Sequence, residues 1–126
     1  MYWEPEVELA DRGTLRALQT ERLNATLARA RRAPFYAEAL RATGLVELRV
    51  PEDIARLPFT TKKDLRDAFP YGNLAVDRSD TVRLHSSSGT TGNPTVVFHT
   101  AADIDRWANL MARCMYMTGV RRADVF

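Results

Sequence analysis

Ser86-Ser87-Ser88-Gly89-Thr90-Thr91-Gly92-Asn93-Pro94-Thr95 concentrates hydroxyls and glycines more densely than any other stretch of this 126-residue sequence. Eight of its ten residues are Ser, Thr or Gly. The side chains at 87, 88, 90 and 91 can donate hydrogen bonds to anionic oxygens. Glycines at 89 and 92 accept φ > 0 and let backbone N–H groups come close to a ligand. No acidic residue lies between Asp80 and Asp103, so nothing in the run repels a polyphosphate. The chemistry this suits is the grip of a phosphate chain by amides and alcohols. A solvated Ser/Gly linker is the other reading of such a composition.

The flanks decide how the run is held. Thr81-Val82-Arg83-Leu84-His85 alternates as a strand does, and Val96-Val97-Phe98 is β-branched and aromatic. The hydroxyl-rich run is therefore a loop between two strands. It is too long for a tight turn, as expected of a functional loop. Thr100-Ala101-Ala102-Asp103 reads as a capping box. It opens a helix whose residues Ile104, Trp107, Leu110, Met111, Cys114, Met115 and Thr118 share one face, with Gly119 ending it. That face is expected in a core, with Cys114 a buried, inert thiol. His85 directly precedes the loop and either serves near the phosphates or fixes the strand end. His99 is expected to be structural or exposed.

Ser87-Ser88-Gly89-Thr90-Thr91-Gly92-Asn93-Pro94-Thr95 resembles the phosphate loop of adenylate-forming enzymes, the group of acyl-CoA synthetases, luciferases and peptide-synthetase adenylation domains. Their pattern ends in Pro-Lys, where this sequence has Pro94-Thr95. Thr at that place is similar to the phenylacetate-CoA ligase branch. So is the wider run from Arg83 through His85 to Val97. Leu57-Pro58-Phe59-Thr60-Thr61-Lys62-Lys63-Asp64-Leu65-Arg66 resembles that branch as well. The two stretches occur in the same order and cover much of residues 50–100. No Gly-Lys-Ser/Thr follows a spaced glycine, so this is not a Walker loop.

The resemblance implies an ATP-dependent ligase. A carboxylate such as phenylacetate is adenylated with release of pyrophosphate, and CoA then takes the acyl group with release of AMP. It implies that Ser87, Ser88, Gly89, Thr90, Thr91 and Gly92 hold the phosphates, with Mg²⁺ supplying charge that a lysine at 95 would have given. No residue here is expected to be a nucleophile or general base, because the substrate carboxylate attacks. Adenylate-forming enzymes are several times longer. The sequence is therefore expected to be an N-terminal piece, inactive alone, with residues 1–80 a helical subdomain and 81–126 the start of the adenylation domain. Another acid substrate, or a non-catalytic helical interaction module, are the alternatives.

Composition sets the outer limits. With 18 basic and 16 acidic residues the net charge is +2, too balanced to argue for nucleic acid or an anionic membrane. No apolar run is long enough to span a bilayer, and no signal-peptide pattern opens the sequence. The one cysteine excludes an internal disulfide and fits a reducing cytoplasm. Two histidines and one cysteine make a zinc site a poor reading.

Along the chain, residues 1–10 are expected to be irregular, with Tyr2 and Trp3 packed against other elements. Asp11 caps a long helix from Arg12 to about Arg32. Leu15, Leu18, Leu23 and Leu27 form its apolar side, and the arginines form a solvated face. Pro34 starts a second helix that ends at Gly44. Residues 45–50 alternate like a strand, but a connector is favoured. Pro51–Leu57 is a helical turn. Thr60 or Thr61 caps another helix, with Asp64 its partner, and residues 69–73 turn. The fold class is α/β: a helical cluster, a β-hairpin and one long helix. Two strands make a weak sheet, so open edges and apolar faces predict a homodimer or aggregation.

Overall fold

The structure, a computed structural model, describes residues 2–88 and 92–125. Five α-helices and one two-stranded antiparallel sheet are found among them. The helices come first, and the hairpin and last helix follow.

α1 spans Pro5–Glu8, a single turn where an irregular segment was expected. Pro5 presets the first helical φ. The Glu8 carboxylate reaches back and accepts from the amides of Trp3 at 3.0 Å and Glu4 at 2.7 Å, which satisfies the start of the turn. Tyr2 stays exposed, contrary to expectation, while Trp3 packs at a tilt on Tyr116, with centroids 5.7 Å apart.

α2 spans Arg12–Ala30, and Asp11 caps it by accepting from the Thr14 amide at 3.0 Å. It stops two residues before the expected end. Ala33 precedes Pro34 and must be extended, so Arg31 and Arg32 are spent on the turn. α3, Pro34–Ala42, starts on that proline, and Gly44 beyond it has φ +64°.

The connector at 45–50 forms no strand, and the reason is local to Leu48. Its carbonyl accepts from Asn24 Nδ2 at 2.9 Å and its amide donates to Asn24 Oδ1 at 2.8 Å. One side chain thus consumes both backbone groups that a sheet would need. Arg31 likewise donates to the carbonyls of Leu45 and Val46 at 2.7 and 2.6 Å. That arginine is a clamp rather than part of a solvated face. Between α2, α3 and the connector lies the core: Leu27, Leu40, Leu45 and Leu48, flanked by Leu23, Ala30, Tyr36 and Leu57.

A 3₁₀ turn covers Pro51–Arg56, and α4 covers Lys62–Asp67. Thr61 is the cap of α4: its hydroxyl accepts from the Asp64 amide, and Asp64 returns a bond to the Thr61 amide at 2.8 Å. The turn after α4 contains a cis Phe69–Pro70 peptide. Gly72 there is packed so closely that an added Cβ would stand 2.8 Å from the Ala68 carbonyl oxygen. Its own carbonyl accepts from the Phe35 amide at 3.0 Å and joins the turn to α3.

β1, Thr81–Ser86, pairs antiparallel with β2, Val96–Thr100, in the register Arg83↔His99, Leu84↔Phe98, His85↔Val97 and Ser86↔Val96. On one face Phe98 stacks on Tyr71 at 5.5 Å, and Arg78 lies 4.5 Å over the Tyr71 ring. α5, Ala101–Met117, lies against the other face, where its Trp107 meets His85 and His99. Thr100 is both the last residue of β2 and the cap of α5, and Gly119 follows the helix at φ +100°.

The apolar side of α5 departs from expectation. Trp107, Leu110, Met111 and Met115 are exposed, and Cys114 is an exposed thiol rather than a buried one. Periodicity identified the face, but the packing that would cover it is not supplied by the described residues. No helix among them is long and apolar enough to cross a membrane.

Candidate functional site

The loop between β1 and β2 begins with a closed neck. The Ser87 amide donates to the Thr95 carbonyl at 3.0 Å, and the Thr95 amide donates to Ser87 Oγ at 3.0 Å. The strand pairing thus continues one step past Ser86↔Val96, with a side-chain oxygen replacing a carbonyl as acceptor. Accepting at Oγ uses a lone pair, so the Ser87 O–H keeps its capacity to donate.

Of the residues singled out from sequence, Ser87 and Thr95 are brought together at this neck. Ser88 and Gly92 are exposed beside it. Gly92 has φ +128°, a conformation that L side chains rarely adopt, and an added Cβ would meet nothing within 4 Å. Its glycine is therefore required by backbone geometry and not by crowding. Gly89, Thr90 and Thr91 lie outside the described residues.

No acidic side chain lies in the sequence between Asp80 and Asp103. The nearest acid after the loop, Asp103, is turned to capping. It accepts from the Thr100 amide at 3.0 Å and the Thr100 hydroxyl at 2.8 Å. Those bonds, the amide first, hold its carboxyl below the usual carboxylate range. Among the described residues no group of three or more His, Cys, Asp or Glu could hold a metal ion.

One feature at the site was not legible beforehand. His85, His99 and Trp107 form a mutual ring cluster. His85 lies 4.9 Å from His99 and 5.4 Å from Trp107, both edge-on. His99 and Trp107 stack at 5.7 Å and 22°. The only hint in sequence is that 85 and 99 fall on the same sheet face once register is known. A shallow groove of about 690 Å³ lies on the opposite face, lined by Tyr71, Arg78, Leu84 and Phe98 among others, and includes none of the described loop residues.

No protein-family model matches the chain. Curated relatives do. A phenylacetate-coenzyme A ligase of Aromatoleum evansii is 45% identical over 122 residues, covering 94% of this chain and 28% of the relative. That of Thermus thermophilus is 45% identical over 124 residues, covering 96% and 28%. That of Escherichia coli K12 is 45% identical over 116 residues, covering 90% and 26%. The chain thus spans about 28% of the length of the first relatives it matches. Among solved structures, a 2-hydroxyisobutyryl-CoA ligase with 2-HIB-AMP and CoA bound superimposes with a TM-score of 0.79 at 30% identity. That match covers 95% of this chain and 27% of the ligase. Nearly the whole chain is therefore similar, in sequence and in fold, to part of an acid–CoA ligase.

Proposed function

We propose that this chain supplies the phosphate-gripping part of an adenylate-forming acid–CoA ligase that acts on phenylacetate. In the first half-reaction the phenylacetate carboxylate attacks the α-phosphorus of ATP and pyrophosphate leaves. In the second, the CoA thiolate attacks the acyl carbonyl and AMP leaves. Atoms of Ser87, Ser88, Gly89, Thr90, Thr91 and Gly92 hold the β- and γ-phosphates, which keeps the leaving group in line and stabilises its charge. Mg²⁺, when bound, adds the positive charge that Thr95 cannot. Residues 1–80 form a helical subdomain and 81–126 the first part of the nucleotide-binding domain, and the protein works in the cytoplasm as a homodimer.

The observation that carries this reading is the neck at Ser87 and Thr95. It closes an acid-free, hydroxyl-rich loop between paired strands, in a chain 45% identical to phenylacetate-coenzyme A ligases. The experiment is titration of the chain with pyrophosphate, followed by amide chemical shifts. Shifts confined to Ser87, Ser88, Gly92 and their loop neighbours are expected. No shift there, or shifts spread over the helices, would rule the loop out. Assayed for ATP–pyrophosphate exchange with phenylacetate, the 126-residue chain alone is expected to be inactive.

A second acid is a specific alternative, because the structural neighbour is a ligase of 2-hydroxyisobutyrate rather than of an arylacetate. A panel of acids offered to a ligase carrying this sequence decides between them.

A further inference from the structure

We infer that His85 is a positioning residue for the loop, held by a ring brace that runs from α5 through both strands to the loop's neck. The inference uses the phosphate-loop reading above for its functional consequence, but its geometry stands independently.

A two-stranded sheet is marginal by itself, and no third strand joins this one among the described residues. The direction of the loop must then be set by what packs on the two faces. On the first face the contact is Phe98 on Tyr71, and Phe98 pairs with Leu84, back from the neck. On the second face one ring, that of His85, reaches a step further forward. His85 pairs with Val97, only one step before Ser86↔Val96 and two before the Ser87–Thr95 neck. Its ring meets His99 from β2 at 4.9 Å and Trp107 from α5 at 5.4 Å. Trp107 sits roughly two helical turns beyond the cap, and its stacking on His99 at 5.7 Å closes the triangle. Three rings from three elements therefore meet on one face, with His85 the ring nearest the loop mouth and His99, paired with Arg83, set further back.

The consequence is preorganisation. A fixed entry at Ser87 and Thr95 lowers the ordering cost that binding must meet. His85 acts through the strand end and the Ser87 amide, not by touching the phosphates. Because the contact is ring against ring, a flat apolar ring at 85 should serve, whereas a methyl should not.

The test uses the whole chain and its variants His85→Ala, His85→Phe and Trp107→Leu. Amide hydrogen exchange is read at Ser87 and Thr95, with Leu48 in the helical core as internal reference. His85→Ala and Trp107→Leu are expected to speed exchange at Ser87 and Thr95 by roughly three- to tenfold, the equilibrium worth of an aromatic pair, and to leave Leu48 unchanged. His85→Phe is expected to return both amides to nearly the parent rate. The pyrophosphate concentration needed to shift Gly92 should rise and recover in step.

Unchanged exchange at the neck in His85→Ala would overturn the brace. So would equal acceleration at Leu48, which would mean general destabilisation. His85→Phe behaving as His85→Ala would also overturn it, since the neck would then depend on the imidazole nitrogens and not on a flat ring. If the parent chain gives no pyrophosphate shift while the exchange pattern holds, the brace stands and the phosphate reading falls.

Discussion

The indole N–H of Trp3 donates to Asn109 Oδ1 at 2.7 Å, joining residues 106 positions apart. Asn109 in turn donates to Glu4 Oε1 at 3.2 Å, and Arg113 pairs with Glu4 and Glu8. The first residues of the chain are thereby fastened to the outer side of α5. Asn109→Ala removes two hydrogen bonds from this clasp and is expected to lower stability by about 1–2 kcal/mol. Urea denaturation checks it, and Trp3→Phe, which keeps the ring on Tyr116, should cost less.

Arg16 and Glu52 form a two-pronged ion pair at 2.5 and 2.6 Å. The Arg16 hydrogen bonds, foremost, depress the Glu52 carboxyl from 4.5 to about 2. A depressed carboxylate stabilises the fold above its unfolded pKa, and the contribution fades as pH falls through the folded value. The window is therefore from about 4.5 down to about 2. Arg16→Leu should flatten the pH dependence of the urea midpoint within that window and leave its shape elsewhere unchanged. Glu52 is exposed and Arg16 only half-buried, so added salt should shrink the difference.

Gly72 and Gly44 separate crowding from backbone strain. At 72 a Cβ would meet Ala68 backbone and side chain below 3 Å. At 44 it would meet nothing within 4 Å, and only φ +64° opposes it. Gly72→Ala is expected to cost roughly 1–3 kcal/mol and to disturb the Tyr71 ring on Phe98. Gly44→Ala is expected to cost about 1 kcal/mol without moving that ring. Thermal melts and the Phe98 ring resonances distinguish them.

Asn24 satisfies both backbone groups of Leu48, whose side chain is 1% exposed. Asn24→Ala should cost about 1–3 kcal/mol because a partly buried amide and carbonyl lose their partners. Leu48→Ala should cost about 2–5 kcal/mol through the cavity it leaves. Denaturant midpoints measure both, and the pair should not be additive, since they act on one residue.

Ser87→Ala deletes the acceptor for the Thr95 amide and one candidate phosphate donor together. Stability should fall by only about 0.5–1 kcal/mol, as the site is exposed. The pyrophosphate-induced shift of Gly92 should weaken far more than the fold does. Parallel titration and denaturation of this variant reveal the imbalance.

What could be read from the chain divides by range. Thr61 with Asp64, Thr100 with Asp103, Pro34 at a helix start and Gly44 past a helix end are all local devices, and each lies where its neighbours in sequence put it. Asn24 on Leu48, Trp3 on Asn109 and the rings at 85, 99 and 107 depend on tertiary proximity, which no spacing rule encodes. Periodicity along α5 showed that Trp107, Met111 and Cys114 share a face, but it carries no information about what lies opposite: Trp107 meets the sheet's histidines, and Met111 and Cys114 are exposed. For the site, composition singled out the hydroxyls, while the Ser87–Thr95 pairing that closes their base emerged only from the backbone register.

β2 passes into α5 at Thr100 with no residue between them. There is no slack at that junction. The angle between the helical rod and the two-stranded ribbon is set at one residue, by the bonds Thr100 and Asp103 exchange. Trp107 on His99 ties the same rod to the ribbon a second time, about two turns further along.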